Sequence, residues 1–298
     1  MMNYKEIEIS DFNEIDEILK KYNIEDCDHC FSAIYIWSFR HRVEFSIYEG
    51  TLFLRMKDED TYWYLSPVGE MPFEDAVKII FEQGKNDNVN VTIFAIDKAQ
   101  KNAVKKSFGE TINIVDDRDG ADYIYKTEDL SFLQGKNYQK KRNHCSRFER
   151  ENPDYTFNLI TKENVERIKQ FEIDWCNKNN SDRMDDLISE QKGILSLLDN
   201  MDKIDVFGAF IENKNGIVAF TLACPINDRM VDIIVEKAYH DVNGAYAIIN
   251  RDFAKNCLQN YEFINREDDL GYENLRKAKM SYYPYEIKEK YFAEYVVL

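Results

Sequence analysis

Residues 230–258 run MVDIIVEKAYHDVNGAYAIINRDFAKNCL. Val231–Val235 is an aliphatic, β-branched run, the composition of a buried strand. From Ala245 to Leu258 the spacing changes, and Ile249, Phe253 and Cys257 share one face of a helix. Asn243 is of the N-cap type, and Gly244 allows close backbone approach. A helix that begins directly after a strand turns its unbonded N–H groups toward the loop and makes a ready anion site. Glu236 stands at the end of the strand, where a carboxylate can serve a ligand held in that loop. The same residues also suit an ordinary strand–helix unit in which Glu236 pairs with Lys237 or another cation.

Outward from this stretch, the second half opens with helical patterns over 161–178 and 184–200. A hairpin, Ile204–Ile211 and Ile217–Cys224, turns at Asn213–Gly216. After the strand and helix already quoted come a strand at Tyr261–Asn265, a short helix at Glu273–Met280 and a last strand over Tyr285–Leu298. The first half opens with a helical stripe in Ile9–Tyr22 and an apolar run, Phe31–Phe39. A hairpin then joins Val43–Tyr48 to Thr51–Met56 at Glu49-Gly50, and Tyr62–Ser66 follows as a strand. Phe73–Phe81 reads as helix, Val91–Ile96 as strand, Lys98–Phe108 as helix, and Ile112–Val115 and Tyr123–Tyr125 as short strands. Both halves thus run hairpin, strand, helix, strand, helix, strand, at a nearly constant offset. The expectation is an α/β (α+β) protein built of two copies of one unit, each a mixed twisted sheet flanked by helices. The boundaries fall at residues 1–130 and 154–298, with a linking segment at 131–153.

The chain of 298 residues is 44% hydrophobic and 32% charged, a soluble globular composition with material for two cores. The longest stretch without a charge, Asn215–Asn227, is too short to span a bilayer. The N-terminus, MMNYKEIEISDF, lacks the apolar centre of a secretory signal, so the expected location is cytoplasmic. A net charge of −16 excludes a protein that coats nucleic acid or anionic lipid over its whole surface. It leaves room for a focused anion site, and residues 135–150, GKNYQKKRNHCSRFER, invert the charge locally. As a helix, this segment puts Tyr138, Cys145 and Phe148 on one face. Lys136, Lys140, Asn143, Arg147 and Arg150 lie on another, with Lys141 and Arg142 beside them. The segment reads as a phosphate-backbone or headgroup site, or as a solvated linking helix paired to the acidic surface.

Residues 264–285, INREDDLGYENLRKAKMSYYPY, crowd Arg266, Glu267, Asp268 and Asp269 at a strand end, with Lys277, Lys279 and Tyr282 after them. They can orient a polar substrate or form a salt-linked turn. G-x-S-x-G, H-E-x-x-H, G-x-G-x-x-G and the P-loop pattern do not occur. Asp117, Asp119 and Gly120 hint at a calcium loop, but Val115 and Lys126 fill its first and last ligand positions, so a turn is expected. Cys27 and Cys30 form a C-x-x-C without a second Cys/His pair, and the other cysteines are isolated in apolar or helical stretches. No metal site is expected, and these four isolated cysteines are read as reduced, buried small hydrophobes. The histidines, 29, 41, 144 and 240, do not cluster.

Three runs, in this order, resemble one family: Gly135–His144 with Arg147-Phe148; Glu236-Lys237-Ala238 with Gly244-Ala245-Tyr246 and Ile249-Asn250; and Asn265–Gly271 with Leu275–Lys279 and Ser281-Tyr282. Phe31–Trp37 and Tyr64–Gly69 look similar too. They are similar to the C-terminal domain family of phosphatidylglycerol lysyltransferase. The resemblance implies a tandem pair of GNAT-like acyltransferase domains, related to the ligases that build peptidoglycan cross-bridges from aminoacyl-tRNA. It implies an aminoacyl group moved from aminoacyl-tRNA to an amine or hydroxyl acceptor, a small molecule or a lipid headgroup such as phosphatidylglycerol. The lysyltransferases usually carry a large membrane-spanning N-terminal part, and no such span is expected within these 298 residues. In the coenzyme A motif of GNAT enzymes, Asp241 would stand where Arg or Gln belongs, and its charge would repel pyrophosphate.

On this reading Glu236 is the base or polar anchor, and Tyr282 joins it as a catalytic group. Gly244, Ala245, Tyr246 and Asn250 hold the donor. Lys136, Lys140, Lys141, Arg142, Asn143 and Arg147 take tRNA or lipid phosphate, and Arg266, Lys277 and Lys279 orient donor or acceptor. The alternatives are an acetyl- or acyl-CoA-dependent N-acyltransferase, and a binding module that kept the fold without the chemistry.

Overall fold

The computed structural model describes residues 2–58, 60–179 and 184–297. In chain order the first half contains β1 (Lys5–Glu6), α1 (Phe12–Lys21), α2 (Phe31–Trp37), β2 (Val43–Tyr48), β3 (Thr51–Asp58), β4 (Thr61–Leu65) and β5 (Val68–Gly69). It continues with α3 (Phe73–Asp87), β6 (Asn90–Ile96), α4 (Lys98–Phe108) and β7 (Asn113–Lys126). Two helices, α5 (Thr127–Phe132) and α6 (Gln139–Glu151), lead on. The second half contains β8 (Thr156–Leu159), α7 (Val165–Lys178), α8 (Met184–Asp199), β9 (Phe207–Asn213), β10 (Gly216–Pro225) and β11 (Met230–Ala238). It ends with α9 (Ala245–Cys257), β12 (Phe263–Asn265), α10 (Glu273–Met280) and β13 (Glu286–Tyr295).

Local chemistry sets many of these bounds. The β2–β3 hairpin turns on Glu49 and Gly50 with φ of 48° and 70°, the pair of positive values a tight two-residue turn requires. At the start of α4, Asp97 accepts from the Gln100 N–H at 2.8 Å, and the Gln100 side chain accepts from the Asp97 N–H at 3.0 Å. This reciprocal pair satisfies two N–H groups that the helix start leaves open. Asn88, in the left-handed region, closes α3.

The strands form a single mixed sheet in the order β1-β2-β3-β4-β6-β13-β7-β12-β11-β10-β9-β8, with β5 on β3. Each half contributes an antiparallel meander ending in a parallel pair, β4 with β6 and β11 with β12. The last strand of each half then crosses over. β13 inserts between β6 and β7, and β7 bridges β13 to β12. The repeat expected from element order is therefore present, and its two sheets are hydrogen-bonded into one.

Two expectations are corrected. Ile112–Val115 and Tyr123–Tyr125 belong to one strand, β7. Its interior bulges: Lys288 faces Asp122 while Lys290 faces Asp117, so the residues between loop out. The turn expected at Asp117–Gly120 is inside that bulge, where the Gly120 N–H donates to Asp117 at 2.9 Å. The final strand ends at Tyr295, and Leu298, which the expected segment included, lies outside the described residues. Sequence periodicity also missed β1, β5, β8 and α5, each of six residues or fewer.

One core spans both halves. Phe12, Phe31, Phe45 and Leu54 from the first half pack with Phe171, Leu197, Phe210 and Phe220 from the second. Separate cores lie under α3–α4 and under α6–α9. On β3, Leu52 and Leu54 face the shared core while Phe53 faces the α3 side, so period-two alternation buries both faces. Among the described residues no helix is long and apolar enough to cross a membrane.

Candidate active site

The parallel pairing of β11 with β12 stops at Asp232 and Asn265, while β11 runs on to Ala238. Beyond that point β11 pairs only on its β10 side, with Glu236 opposite Thr221. A gap opens in the sheet there, and the candidate site fills it. Successive strand residues point to opposite faces. Lys237 thus turns to α7 and α8, where its ammonium meets Glu172 at 2.7 Å and Glu190 at 3.0 Å. Glu236 turns to α9 and accepts from the Asn250 amide at 3.1 Å. Its other oxygen meets the Arg266 guanidinium, from the end of β12, at 2.8 Å. The cation expected to pair with Glu236 is therefore Arg266, not Lys237.

Aromatic rings wall this ion pair. The Arg266 guanidinium lies 4.8 Å from the Tyr282 ring centre and 5.6 Å from that of Tyr125. The Lys141 ammonium lies 3.5 Å from the Tyr282 ring centre. Two cations on one ring draw on its negative face. Burial, helped by the charge of Arg266, pushes the Lys141 amine down to about 8, against the pull of Glu236. Burial pushes the Tyr282 hydroxyl the other way, well above its ordinary value, so near neutral pH it is a hydrogen-bond donor rather than a base.

Two polar atoms here are left over. Arg266 Nη1 and Asn250 Oδ1 are buried and find no hydrogen-bond partner among the described residues. One is a donor and the other an acceptor, and both side chains are held by Glu236. Buried polar groups without partners are uncommon and costly, and this donor and this acceptor are open to a polar group held between them.

Residues 19–294 match the family described as phosphatidylglycerol lysyltransferase, C-terminal. The chain belongs to this family. A conserved protein of unknown function from Bacteroides thetaiotaomicron is 33% identical, over 99% of this chain and all of that one, with a TM-score of 0.92. L-PGS from Bacillus licheniformis is 18% identical over 95% of this chain and 91% of its own, with a TM-score of 0.67. A tandem GNAT protein from the clavulanic acid biosynthesis pathway shares the fold at 7% identity and a TM-score of 0.51, covering 99% and 98% of the two chains. An uncharacterized protein of Mycoplasmoides gallisepticum is 22% identical over 58% of this chain, which spans 56% of that relative's length. The fold is thus the GNAT-like fold of the lysyltransferase C-terminal family.

Within this lysyltransferase-family fold, the expected site residues separate into three groups. Glu236, Asn250, Arg266, Tyr282 and Lys141 come together as described. A second group works inside the structure. Arg142 donates to the backbone carbonyls of Leu133 and Gly135 and to Gln139, bracing the turn before α6. Lys279, buried under the 266–268 loop, donates to the carbonyls of Arg266 and Asp268. Neither is available to a phosphate. Lys136, in the turn before α6, is exposed, as are Lys140, Asn143 and Arg147 along α6, where Arg147 pairs with Glu151 at 2.7 Å. Lys277 is exposed in a pair with Glu273 at 2.6 Å, on the surface rather than at the ion pair.

The Gly244 turn also differs from expectation. Gly244 itself caps α9 with φ 81°, and Asn243 instead donates to Glu151 at 3.2 Å. A Cβ at Gly244 would stand 2.4 Å from the His144 carbonyl oxygen. The glycine thus lets α6 pack on the start of α9, so the basic helix lies where a ligand was expected. Ala245 is buried there, and Tyr246, half-buried, lies against His240 with ring centres 5.3 Å apart. The mixed charges at 264–285 also form a salt-linked turn in part. Asp269 accepts from Tyr123, Arg118 and both arms of Arg276.

Sequence reasoning missed Tyr125, whose ring walls the site. Alternation along β7 was the available signal, since Tyr123 and Tyr125 share a face. It also missed a pocket of about 270 Å³ that residues of the 266–270 loop help to line. Trp37, Leu54, Trp63 and Phe94 wall it, and Asp28, Glu267 and Asp268 line it too. Burial pushes the Asp268 carboxyl up to about 7.

Proposed function

We propose that this chain is an acyltransferase that takes an aminoacyl group from aminoacyl-tRNA and passes it to an amine or hydroxyl acceptor. The observation that carries this reading is the leftover pair, Arg266 Nη1 and Asn250 Oδ1. An aminoacyl ester brings a carbonyl that accepts and an ammonium that donates. It therefore satisfies both atoms, whereas an acetyl group has no nitrogen for Asn250.

In this reaction Arg266 donates to the ester carbonyl and stabilises the oxyanion that forms on attack. Glu236 holds Arg266 and Asn250 in place. The acceptor's nucleophilic atom bonds to the carbonyl carbon, and the bond from that carbon to the tRNA ribose oxygen breaks. Lys141, with its lowered basicity, takes the acceptor's proton and returns it to the leaving hydroxyl. The Tyr282 ring orients both cations. An acceptor with an apolar body fits the pocket that residues of the 266–270 loop help to line. The exposed stripe of Lys136, just before α6, with Lys140 and Arg147 on it, meets the tRNA backbone.

The experiment is release of labelled amino acid from aminoacyl-tRNA, with hydroxyl and amine acceptors present. Transfer that falls at least about a hundredfold in Glu236→Gln supports the reading. Equal transfer from acetyl-CoA would move the donor to coenzyme A. Absence of turnover with either donor, together with unchanged binding in Glu236→Gln, would leave a binding module.

A further inference from the structure

Two buried carboxylates in the middle of the sheet are treated differently. Asp122, on β7, accepts from the Cys27 N–H at 3.0 Å, the Asn265 amide at 2.8 Å and the Lys290 ammonium at 2.5 Å. Asp232, on β11 and opposite Asn265 in register, is also fully buried. Neither of its oxygens finds a hydrogen-bond partner among the described residues. What surrounds it is sulfur. Cys224 is its cross-strand partner on β10, and Cys30 comes from the start of α2 in the other half of the chain. Both sulfurs and a carboxylate oxygen of Asp232 lie within 4.8 Å of one another, and all three residues are buried.

A fully buried carboxylate without partners carries two costs, an uncompensated charge and unsatisfied oxygens. Protonation removes the charge but still leaves the oxygens without partners. A cation removes both costs. Two soft sulfurs beside one carboxylate select a zinc-like transition ion over magnesium or calcium. Zinc–sulfur bonds of about 2.3 Å and zinc–oxygen bonds of about 2.0–2.2 Å set tetrahedral ligand atoms under about 4 Å apart, so binding requires this spacing within the 4.8 Å that encloses the three atoms.

We propose that Cys30, Cys224 and Asp232 bind one zinc ion that staples α2 to the β10–β11 hairpin, and so one half of the chain to the other. On binding, the ion replaces the two thiol protons and any proton on the carboxyl, with no change of oxidation state. Three anionic ligands and one divalent ion leave a single negative charge, and the Lys290 ammonium acts on Asp232 from nearby. One tetrahedral position remains for water. The Cys-x-x-Cys pair is divided by this arrangement. Cys27 turns away to Asp122, at 3.1 Å from its carboxylate, while Cys30 finds its partner far along the chain.

The test is a titration of the full-length, reduced, chelator-stripped protein with Co²⁺. Thiolate-to-cobalt charge-transfer absorption should saturate at one equivalent and vanish when Zn²⁺ is added, and Zn²⁺ should raise the Tm. Cys30→Ser, Cys224→Ser and Asp232→Asn should each weaken binding more than about tenfold. Cys27→Ser and Cys145→Ser should leave it unchanged. Circular dichroism checks that each variant is folded, and the wild-type titration decides the matter by itself if one is not. No charge-transfer band in the wild type overturns the proposal. So does binding that survives in folded Cys30→Ser, or a protein that forms a Cys30–Cys224 disulfide in air yet takes up no metal when reduced.

Discussion

Glu236 and Arg266 stand in the gap between β11 and β12 as a largely buried ion pair. Removing one partner of such a pair leaves the other charge without compensation. Glu236→Gln keeps the shape and still accepts from Asn250, so a loss of roughly 2–3 kcal/mol in folding stability is expected, read as a lowered denaturant midpoint with an unchanged m-value. Lys141 gives a pH signature. Its folded value of about 8 lies below that of an ordinary lysine, so between about pH 8 and 10 the unfolded chain binds the extra proton. Stability therefore rises with pH across that window, and below it the buried ammonium costs the folded state the full difference. Lys141→Met should flatten this slope and raise the Tm at pH 7, while transfer falls. A pH–rate profile of the wild type should climb through about 8 to a plateau that the variant lacks. The residues of this site were legible in part. Glu236 and Arg266 stand out as charged residues at strand ends, whereas Asn250 and Tyr282 do so only through the family resemblance. Lys141 did not, because a basic run shows where its charges are but not which one turns inward. That choice belongs to the Tyr282 ring, from a strand-distant segment, and to the packing of Cys145 and Phe148.

At the scale of elements, α6 and the start of α9 are locked by one glycine. Gly244→Ala meets a left-handed φ and the His144 carbonyl at 2.4 Å together. The expected cost is roughly 1–3 kcal/mol from the backbone alone, with α6 displaced further. A fall in Tm with weakened tRNA binding is the readout, and an unchanged Tm would mean α6 is not seated there. The amphipathic division of α6 was readable: Tyr138, Cys145 and Phe148 are buried and the basic stripe is outside. Period 3.6 carries that information. The Gly244 contact was not readable, because close approach of a second helix and close approach of a ligand ask the same thing of a sequence. Short elements such as β8 and α5 are set by their neighbours across the sheet or helix layer rather than by a period of their own.

The whole molecule is tied together by strand exchange. β13, the end of the chain, lies between β6 and β7, so removing residues 286–298 takes a central strand from the sheet. That truncation should cost both halves their cooperative transition, giving broad melting and rapid proteolysis of each. A sharp transition retained by the first half would show that it stands without β13. Element order made the repeat visible, but which half a strand pairs with is a long-range choice that period and propensity do not encode. The net charge of −16 confines any nucleic-acid contact to a local patch, and α6 presents one. The direct measurement is filter binding of aminoacylated tRNA beside deacylated tRNA at two salt concentrations. Contact with about six phosphates makes affinity fall roughly a thousandfold between about 50 and 200 mM salt. The account predicts binding of that steepness, tighter for charged tRNA, and a shallower slope when Lys136, Lys140 and Arg147 are changed to Glu. Absence of binding at low salt, or equal binding of charged and deacylated tRNA, would contradict it.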